Sequence, residues 1–269
     1  MSEPFKQSNE SYLHIENWQK RNPNLRAGFT TRNGGVSRPP FGTFNCGLHV
    51  NDRTETVIEN RTLLAKELNM PLENWVTGEQ VHGTNIKIIV DRDKGRGAKS
   101  YDNAIKGIDG LITNKKGILC TAFFADCVPL YFYDPVTEYI GIAHAGWKGT
   151  VNGIQEQMVQ ALKEVGVDTA DLLVAIGPSI SQEKYEVDDR VIEAISKEYR
   201  QKTVTPQDNQ RYLLDLKQLN AEILLQSGVL RHNIEVTNYC THQDEALFFS
   251  HRRDNGKTGR MLGFLGFQE

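Results

Sequence analysis

The stretch GILCTAFFADCVPLYFYDPVTEYIGIAHAGWKG, residues 117–149, decides how this chain folds. It contains three apolar runs, Ile118 to Ala125, Val128 to Tyr133 and Tyr139 to Ala143. Each is strand-length, rich in β-branched or aromatic residues and bounded by turn formers, which predicts buried strands. A fourth run, Gly110 to Thr113, precedes them across Asn114-Lys115-Lys116-Gly117. That link and Asp134-Pro135-Val136-Thr137 are short, and short links predict antiparallel neighbours. Chemistry-bearing residues stand at the strand ends: Cys127 opens one run and His144 closes the next, so both side chains can reach one point.

Working outward, Leu25 to Arg32 reads as a strand ending in Asn33-Gly34-Gly35, and the apolar spacing from Thr54 to Asn69 reads as a helix closed by Pro71. Trp75 to Thr77 and Ile86 to Val90 are expected strands around the turn Gln80-Val81-His82-Gly83, followed by an exposed loop over residues 91–106. Thr150 is the expected N-cap of a helix ending at Gly166. Leu172 to Gly177 is a further strand; helices near Asp188 to Tyr199 and Asp215 to Gln226 precede a β-rich end. Strands in runs, with helices grouped between them, predict an α+β fold rather than a regular parallel sheet. We expect a single catalytic domain over residues 25–269 behind an N-terminal extension, residues 1–24.

A net charge of -3, with 24% charged residues, gives no general footprint for nucleic acid or an anionic membrane. The N-terminus lacks the apolar stretch of a signal peptide, and the most apolar segment is interrupted by Asp126 and Pro129, so a cytoplasmic protein is expected. Four cysteines in so long a chain predict free or metal-bound thiols, not a disulfide framework.

Two imidazoles and one thiolate, His82, Cys127 and His144, form a donor set that suits zinc and leaves a fourth position open for water or substrate. Asp126 must be hydrogen-bonded, solvated or near a cation, because a bare carboxylate in so apolar a run is costly. Cys46 and Cys120 read as small buried hydrophobes, and Cys240 with His242 as a reserve ligand pair. Arg252, Arg253 and Arg260 suit phosphate or carboxylate, with a salt-bridged surface as the rival reading. No P-loop or dinucleotide fingerprint is present.

Taken in order, Phe29-Thr30-Thr31-Arg32-Asn33-Gly34-Gly35, Asn45-Cys46-Gly47-Leu48-His49, Gln80-Val81-His82-Gly83, Asp109-Gly110-Leu111, Ala125-Asp126-Cys127-Val128-Pro129 and His144-Ala145-Gly146-Trp147-Lys148-Gly149 resemble the bacterial YlmD/YfiH family. That family was formerly labelled multicopper polyphenol oxidase or laccase-domain protein and is now regarded as purine nucleoside phosphorylase. The resemblance implies an α+β layered sandwich of mixed, largely antiparallel sheets with flanking helices, and a Zn2+ site on His82, Cys127 and His144. It implies purine nucleosides and phosphate as partners: phosphorolysis of adenosine, inosine and 5'-methylthioadenosine, with adenosine deamination at the same site. Seven histidines without one His-x-His pair do not build a multicopper cluster, so any copper is expected to be adventitious.

For phosphorolysis, Arg32, Arg61 and Lys148 are the motif-linked cations expected to meet phosphate or substrate. Gln80 and Asn45 are the expected hydrogen-bonding partners of ribose or base, and Asp126 the expected proton carrier or orienter. The alternative is a cysteine hydrolase with Cys127 as nucleophile and His144 as base, editing a peptidoglycan precursor. A third reading is a binding module in which zinc only secures loops.

Overall fold

Strands apolar along their whole length must be covered on both faces, and this requirement sets the architecture. The structure is a computed structural model and describes residues 3–269. In chain order the strands are β1 (Phe5–Gln7), β2 (Tyr12–Ile15), β3 (Leu25–Thr30), β4 (Trp75–Thr77), β5 (Ile86–Ile88), β6 (Gly110–Thr113), β7 (Ile118–Phe124) and β8 (Val128–Tyr133). They continue with β9 (Ile140–Ala145), β10 (Leu173–Ile176), β11 (Glu186–Asp188), β12 (Val204–Pro206), β13 (Arg211–Leu214), β14 (Ile234–Val236) and β15 (Met261–Phe267). The helices are α1 (Glu16–Arg21), α2 (Thr54–Leu68), α3 (Trp147–Val151), α4 (Ile154–Glu164), α5 (Asp189–Ala194), α6 (Lys197–Thr203) and α7 (Leu216–Gln226).

Two six-stranded sheets, ordered β1-β2-β3-β15-β7-β4 and β14-β10-β8-β9-β6-β5, lie face to face, and a small sheet β11-β13-β12 stands apart. The period-2 alternation of β7 explains the layering. Leu119 and Phe123 point to a cluster with Leu64, Ala65 and Leu68 of α2, whereas Cys120, Ala122 and Phe124 meet Tyr131 and Ile142 of the opposite sheet. In β8, Val128, Leu130 and Phe132 face Met158 and Leu162 of α4 and Leu219 of α7. The order is therefore helix, sheet, sheet, helix, and the expected α+β layered sandwich is present. Among the named strands of the described residues, β4 with β7, β5 with β6 and β10 with β14 pair in parallel, and the other pairs are antiparallel. Among the described residues no helix is long and apolar enough to cross a membrane.

Several expectations are corrected. Residues ahead of Leu25 do not stand outside the domain: β1 and β2 extend the first sheet, and Phe5, Leu13, Ile15 and Trp18 are buried in the layer between the sheets. β6 and β7 are not neighbours despite their short link, because the chain crosses from one sheet to the other there and returns between β7 and β8. Burial on both faces makes each run look alike, so link length alone misassigns the partner. Thr150 lies inside α3; α4 starts after Gly153, whose φ of 85° belongs to the left-handed region that glycine enters freely. The loop over residues 91–106 is anchored, with Asp93, Ala98, Ala104 and Ile105 buried. The helix expected from Asp188 to Tyr199 is divided into α5 and α6.

Candidate active site

Cys127 follows the corner at which the chain changes sheets. Asp126 turns that corner with φ 86°, an unusual conformation for a residue with a side chain, and its carboxylate holds the bend in place. Oδ1 accepts from Thr241 Oγ1 (2.7 Å), and Oδ2 accepts from Ser250 Oγ (3.0 Å) and the Arg252 backbone N–H (2.7 Å). Both oxygens are thus occupied by fixed donors. Of the two roles expected for Asp126, this geometry favours orienter over proton carrier.

The β8–β9 hairpin behaves as its sequence suggests. Val128 pairs with Ala145 and Pro129 with His144, which brings Cys127 beside the His144 ring. His82 arrives from the turn after β4, with φ 60°. The ligand atoms of His82, Cys127 and His144 all lie within 4.8 Å of one another, and Cys127 Sγ is 4.0 Å from His82 Nε2. Ligand atoms on one zinc ion stand roughly 3.5 Å apart, so the group needs to close by only about 1 Å to hold it. It is the one group of three or more metal-ligating side chains of this kind among the described residues. Gly146 keeps the space open. A Cβ there would stand 2.9 Å from His82 Cδ2 and 3.1 Å from Cys127 Sγ.

Asp109 ties the group together, a role that its place in the motif Asp109-Gly110-Leu111 does not by itself assign. Its fully buried carboxylate accepts from the backbone N–H groups of Val81 (3.1 Å), His82 (3.1 Å) and Gly83 (2.8 Å) and from His144 Nδ1 (2.9 Å). Its backbone carbonyl also accepts from His144 N–H (2.8 Å). Three successive N–H groups cradle the anion and hold the His82 turn, while His144 Nε2 is left for a metal. Burial pushes the Asp109 carboxyl up, but the His144 hydrogen bond and charge and the Gly83 and Val81 N–H groups outweigh it and hold the group below the usual aspartate value. Burial also disfavours charge on Cys127 and His144. Their mutual attraction prevails, with Asp109 behind the imidazole, so the thiol is pulled down and the imidazole pushed up.

The group opens into a cavity of about 420 Å³, also lined by His49, Gln80, Tyr101, Phe123, Tyr185, Arg252 and Arg260. The His49 ring stands 5.6 Å from Phe123 and 5.8 Å from Tyr101, forming an aromatic wall. Burial, then the charges of Arg260 and Arg61, push the His49 imidazole down to about 4, so it is neutral at pH 7.

The remaining expected site residues divide. Gln80 lines the cavity, but its amide is engaged by the Phe123 backbone, donating to Phe123 O (2.8 Å) and accepting from Phe123 N–H (2.7 Å). Arg61 is corrected: it is fully buried, donates to the carbonyls of Cys46, Gly97 and Ala98 (2.7 to 2.8 Å), and sits against the Phe123 ring outside the cavity. Asn45 is also buried; its Oδ1 accepts from Gly47 and Arg260 N–H groups, so it acts through Arg260. Arg32 donates to Gly42 O and Glu245 O over the Phe249 ring, and Lys148 is exposed near Trp147; neither lines the cavity. Of the reserve pair, Cys240 is buried and accepts from Ser181 N–H, apart from the three-residue group. Asp109 carries the same sequence signal as Asp126, a lone carboxylate abutting an apolar strand.

Comparison with known proteins gives a consistent result. The family model described as multi-copper polyphenol oxidoreductase laccase matches residues 26–268. The chain is 44% identical to purine nucleoside phosphorylase YlmD of Bacillus subtilis, covering 99% of this chain and 98% of that protein. The crystal structure of YlmD from Geobacillus stearothermophilus superposes with a TM-score of 0.94 at 42% identity, covering 100% of both chains. That of the Bacillus licheniformis hypothetical protein YfiH also gives 0.94, at 44% identity, covering 98% of this chain and 99% of that one.

Proposed function

The chain belongs to the multi-copper polyphenol oxidoreductase laccase family, and from that premise we propose that it is a zinc-dependent purine nucleoside phosphorylase. The observation that carries this reading is the His82–Cys127–His144 group at a cavity with an aromatic wall and arginines, in a chain similar along its length to proteins named as such phosphorylases. In phosphorolysis a phosphate oxygen bonds to C1' of the ribose, the C1'–N9 bond breaks, and the base leaves with a proton. His82, Cys127 and His144 would hold zinc, which when bound supplies a Lewis acid. Neutral His49, Tyr101 and Phe123 offer flat faces to a purine. Asp109 fixes His144 and the His82 turn, and Asp126 fixes the Cys127 corner and Arg252. Adenosine, inosine and 5'-methylthioadenosine are the proposed substrates, with adenosine also deaminated at C6, water entering and ammonia leaving.

The test is chromatography of metal-quantified protein with inosine, with and without phosphate. Hypoxanthine and ribose 1-phosphate are expected, lost on chelation and regained with zinc. Equal base release without phosphate, giving free ribose, would overturn the reading.

One observation favours a cysteine hydrolase: Cys127, His144 and Asp109 form a thiol–imidazole–carboxylate series. Such an enzyme, acting on an amide such as a peptidoglycan precursor, would keep activity after full chelation and carry a substrate adduct on Cys127.

A further inference from the structure

Arg252 and Arg260 both line the cavity, and neither guanidinium pairs with a carboxylate among the described residues. Arg253 between them differs: its guanidinium is engaged by Asp254 (2.9 Å) and by the carbonyls of Thr241, His242 and Phe248. Both cavity arginines are nonetheless held in place. Arg260 Nη1 donates to Thr258 O (2.9 Å) and Gly259 O (3.0 Å), and its backbone N–H to buried Asn45 Oδ1 (2.9 Å). Its stem passes Gly47, where a Cβ would come within 2.9 Å of Arg260 Cγ. Arg252 Nη1 donates to Glu186 O (2.9 Å), and its guanidinium carbon lies 5.3 Å from the Tyr185 ring centre. Asp126 places Arg252 by accepting its backbone N–H and forms no salt bridge with either guanidinium among the described residues. On Arg260, Nε and Nη2 make no protein hydrogen bond among the described residues, and most Arg252 donors are equally free.

Two held guanidinium groups that line one concave site, neither in a salt bridge and both with free N–H donors, offer a receptor for a tetrahedral oxyanion. Their anchoring reduces the side-chain entropy lost on binding. We propose that Arg252 and Arg260 form a phosphate subsite of this cavity, taking inorganic phosphate. Its role as the cosubstrate's seat rests on the phosphorylase reading; its capacity to bind the anion does not. A 5'-phosphate carried by a nucleotide presents the same chemistry, so the two sources are separated by experiment.

The experiment is calorimetric titration of the zinc-loaded protein with inorganic phosphate, and separately with inosine 5'-monophosphate, alongside phosphate saturation of inosine cleavage. Arg252→Gln and Arg260→Gln are each expected to weaken phosphate binding about 10- to 100-fold, with zinc content and inosine binding in the absence of phosphate unchanged. Arg260→Lys, which keeps the charge but loses the fork, is expected to fall between. Arg252 is exposed, so its variant carries the test if substitution at Arg260 impairs folding. Phosphate affinity within twofold of the unaltered protein in both glutamine variants would overturn the proposal. So would absence of phosphate binding to the unaltered protein, or arginine-dependent binding of the nucleotide alone. Arginine-dependent phosphate binding combined with phosphate-independent base release would retain the subsite and remove the phosphorylase reading.

Discussion

Asp109→Asn preserves shape and removes charge at the residue that joins the His82 turn to His144. The native carboxylate meets four N–H donors, two at each oxygen. An amide supplies only one oxygen. In one orientation its NH2 faces the Val81 and Gly83 N–H groups; in the other it faces the His82 N–H and His144 Nδ1. In the first, two donors lose their acceptor, a cost of about 3 kcal/mol at about 1.5 kcal/mol for each hydrogen bond to a charged group; in the second the His82 N–H loses its acceptor and His144 Nδ1 must turn from donor to acceptor. The second orientation also favours a proton on His144 Nε2, the nitrogen a metal needs. We expect zinc affinity, measured by competition with a chromophoric chelator, to fall about 10- to 100-fold, and the metal-free protein to melt about 5–10 °C lower. The pH dependence has a defined sign. Because the folded Asp109 pKa is depressed, its contribution is present above the unfolded aspartate value of about 3.9 and lost as pH falls through the lower folded value. The stability gap between native and variant should therefore persist at neutral pH and shrink below about pH 4. A folded variant with zinc affinity within twofold of native would refute the orienting role.

Iodoacetamide should modify Cys127 slowly in zinc-loaded protein and quickly after chelation. In the chelated protein the rate should plateau above about pH 6, because the thiol is pulled down to about 6; a rate still climbing through pH 8 to 9 would contradict the thiolate–imidazolium pair. Peptide mapping isolates this site, since Cys46, Cys120 and Cys240 are buried. Arg61→Met should cost about 3 kcal/mol by leaving three carbonyls unpaired, without altering phosphate saturation; a raised phosphate KM with unchanged melting would restore Arg61 to the site. Gly146→Ala should weaken zinc binding by pushing His82 from Cys127, measurable by the same chelator competition, and undiminished affinity would show that the turn can yield.

Strand identity was legible because period and length speak directly: β6 and β8 begin and end where the apolar runs do. Strand partnership was not. The link from Thr113 to Ile118 is short enough for a hairpin, yet it spans two sheets, and only the packing of both faces distinguishes these outcomes. The metal group was legible because Cys127 and His144 stand at the ends of one hairpin, where local pairing suffices to join them. The cations were harder. Arg61 lies on a motif-bearing helix, but its Nε and Nη1 are engaged inside the fold by backbone carbonyls, which leave no mark in sequence, and its buried Nη2 has no partner among the described residues. Arg252 and Arg260 carried no stronger signal than Arg253, which Asp254 and three backbone carbonyls engage instead.

The position of β15 has a consequence for the order of assembly. β3 and β7 share no hydrogen bonds and meet only through β15, so the first sheet remains in two halves until residues 261–267 are available. Thr241, Ser250 and Arg252, which pin the Asp126 corner, are likewise made more than a hundred residues after it. During synthesis the three candidate metal donors are therefore all present long before the framework that aims them. A nascent chain released early would carry an unrestrained Cys127 thiol, at risk of oxidation or of capturing whichever soft cation it meets first, before the selective geometry exists.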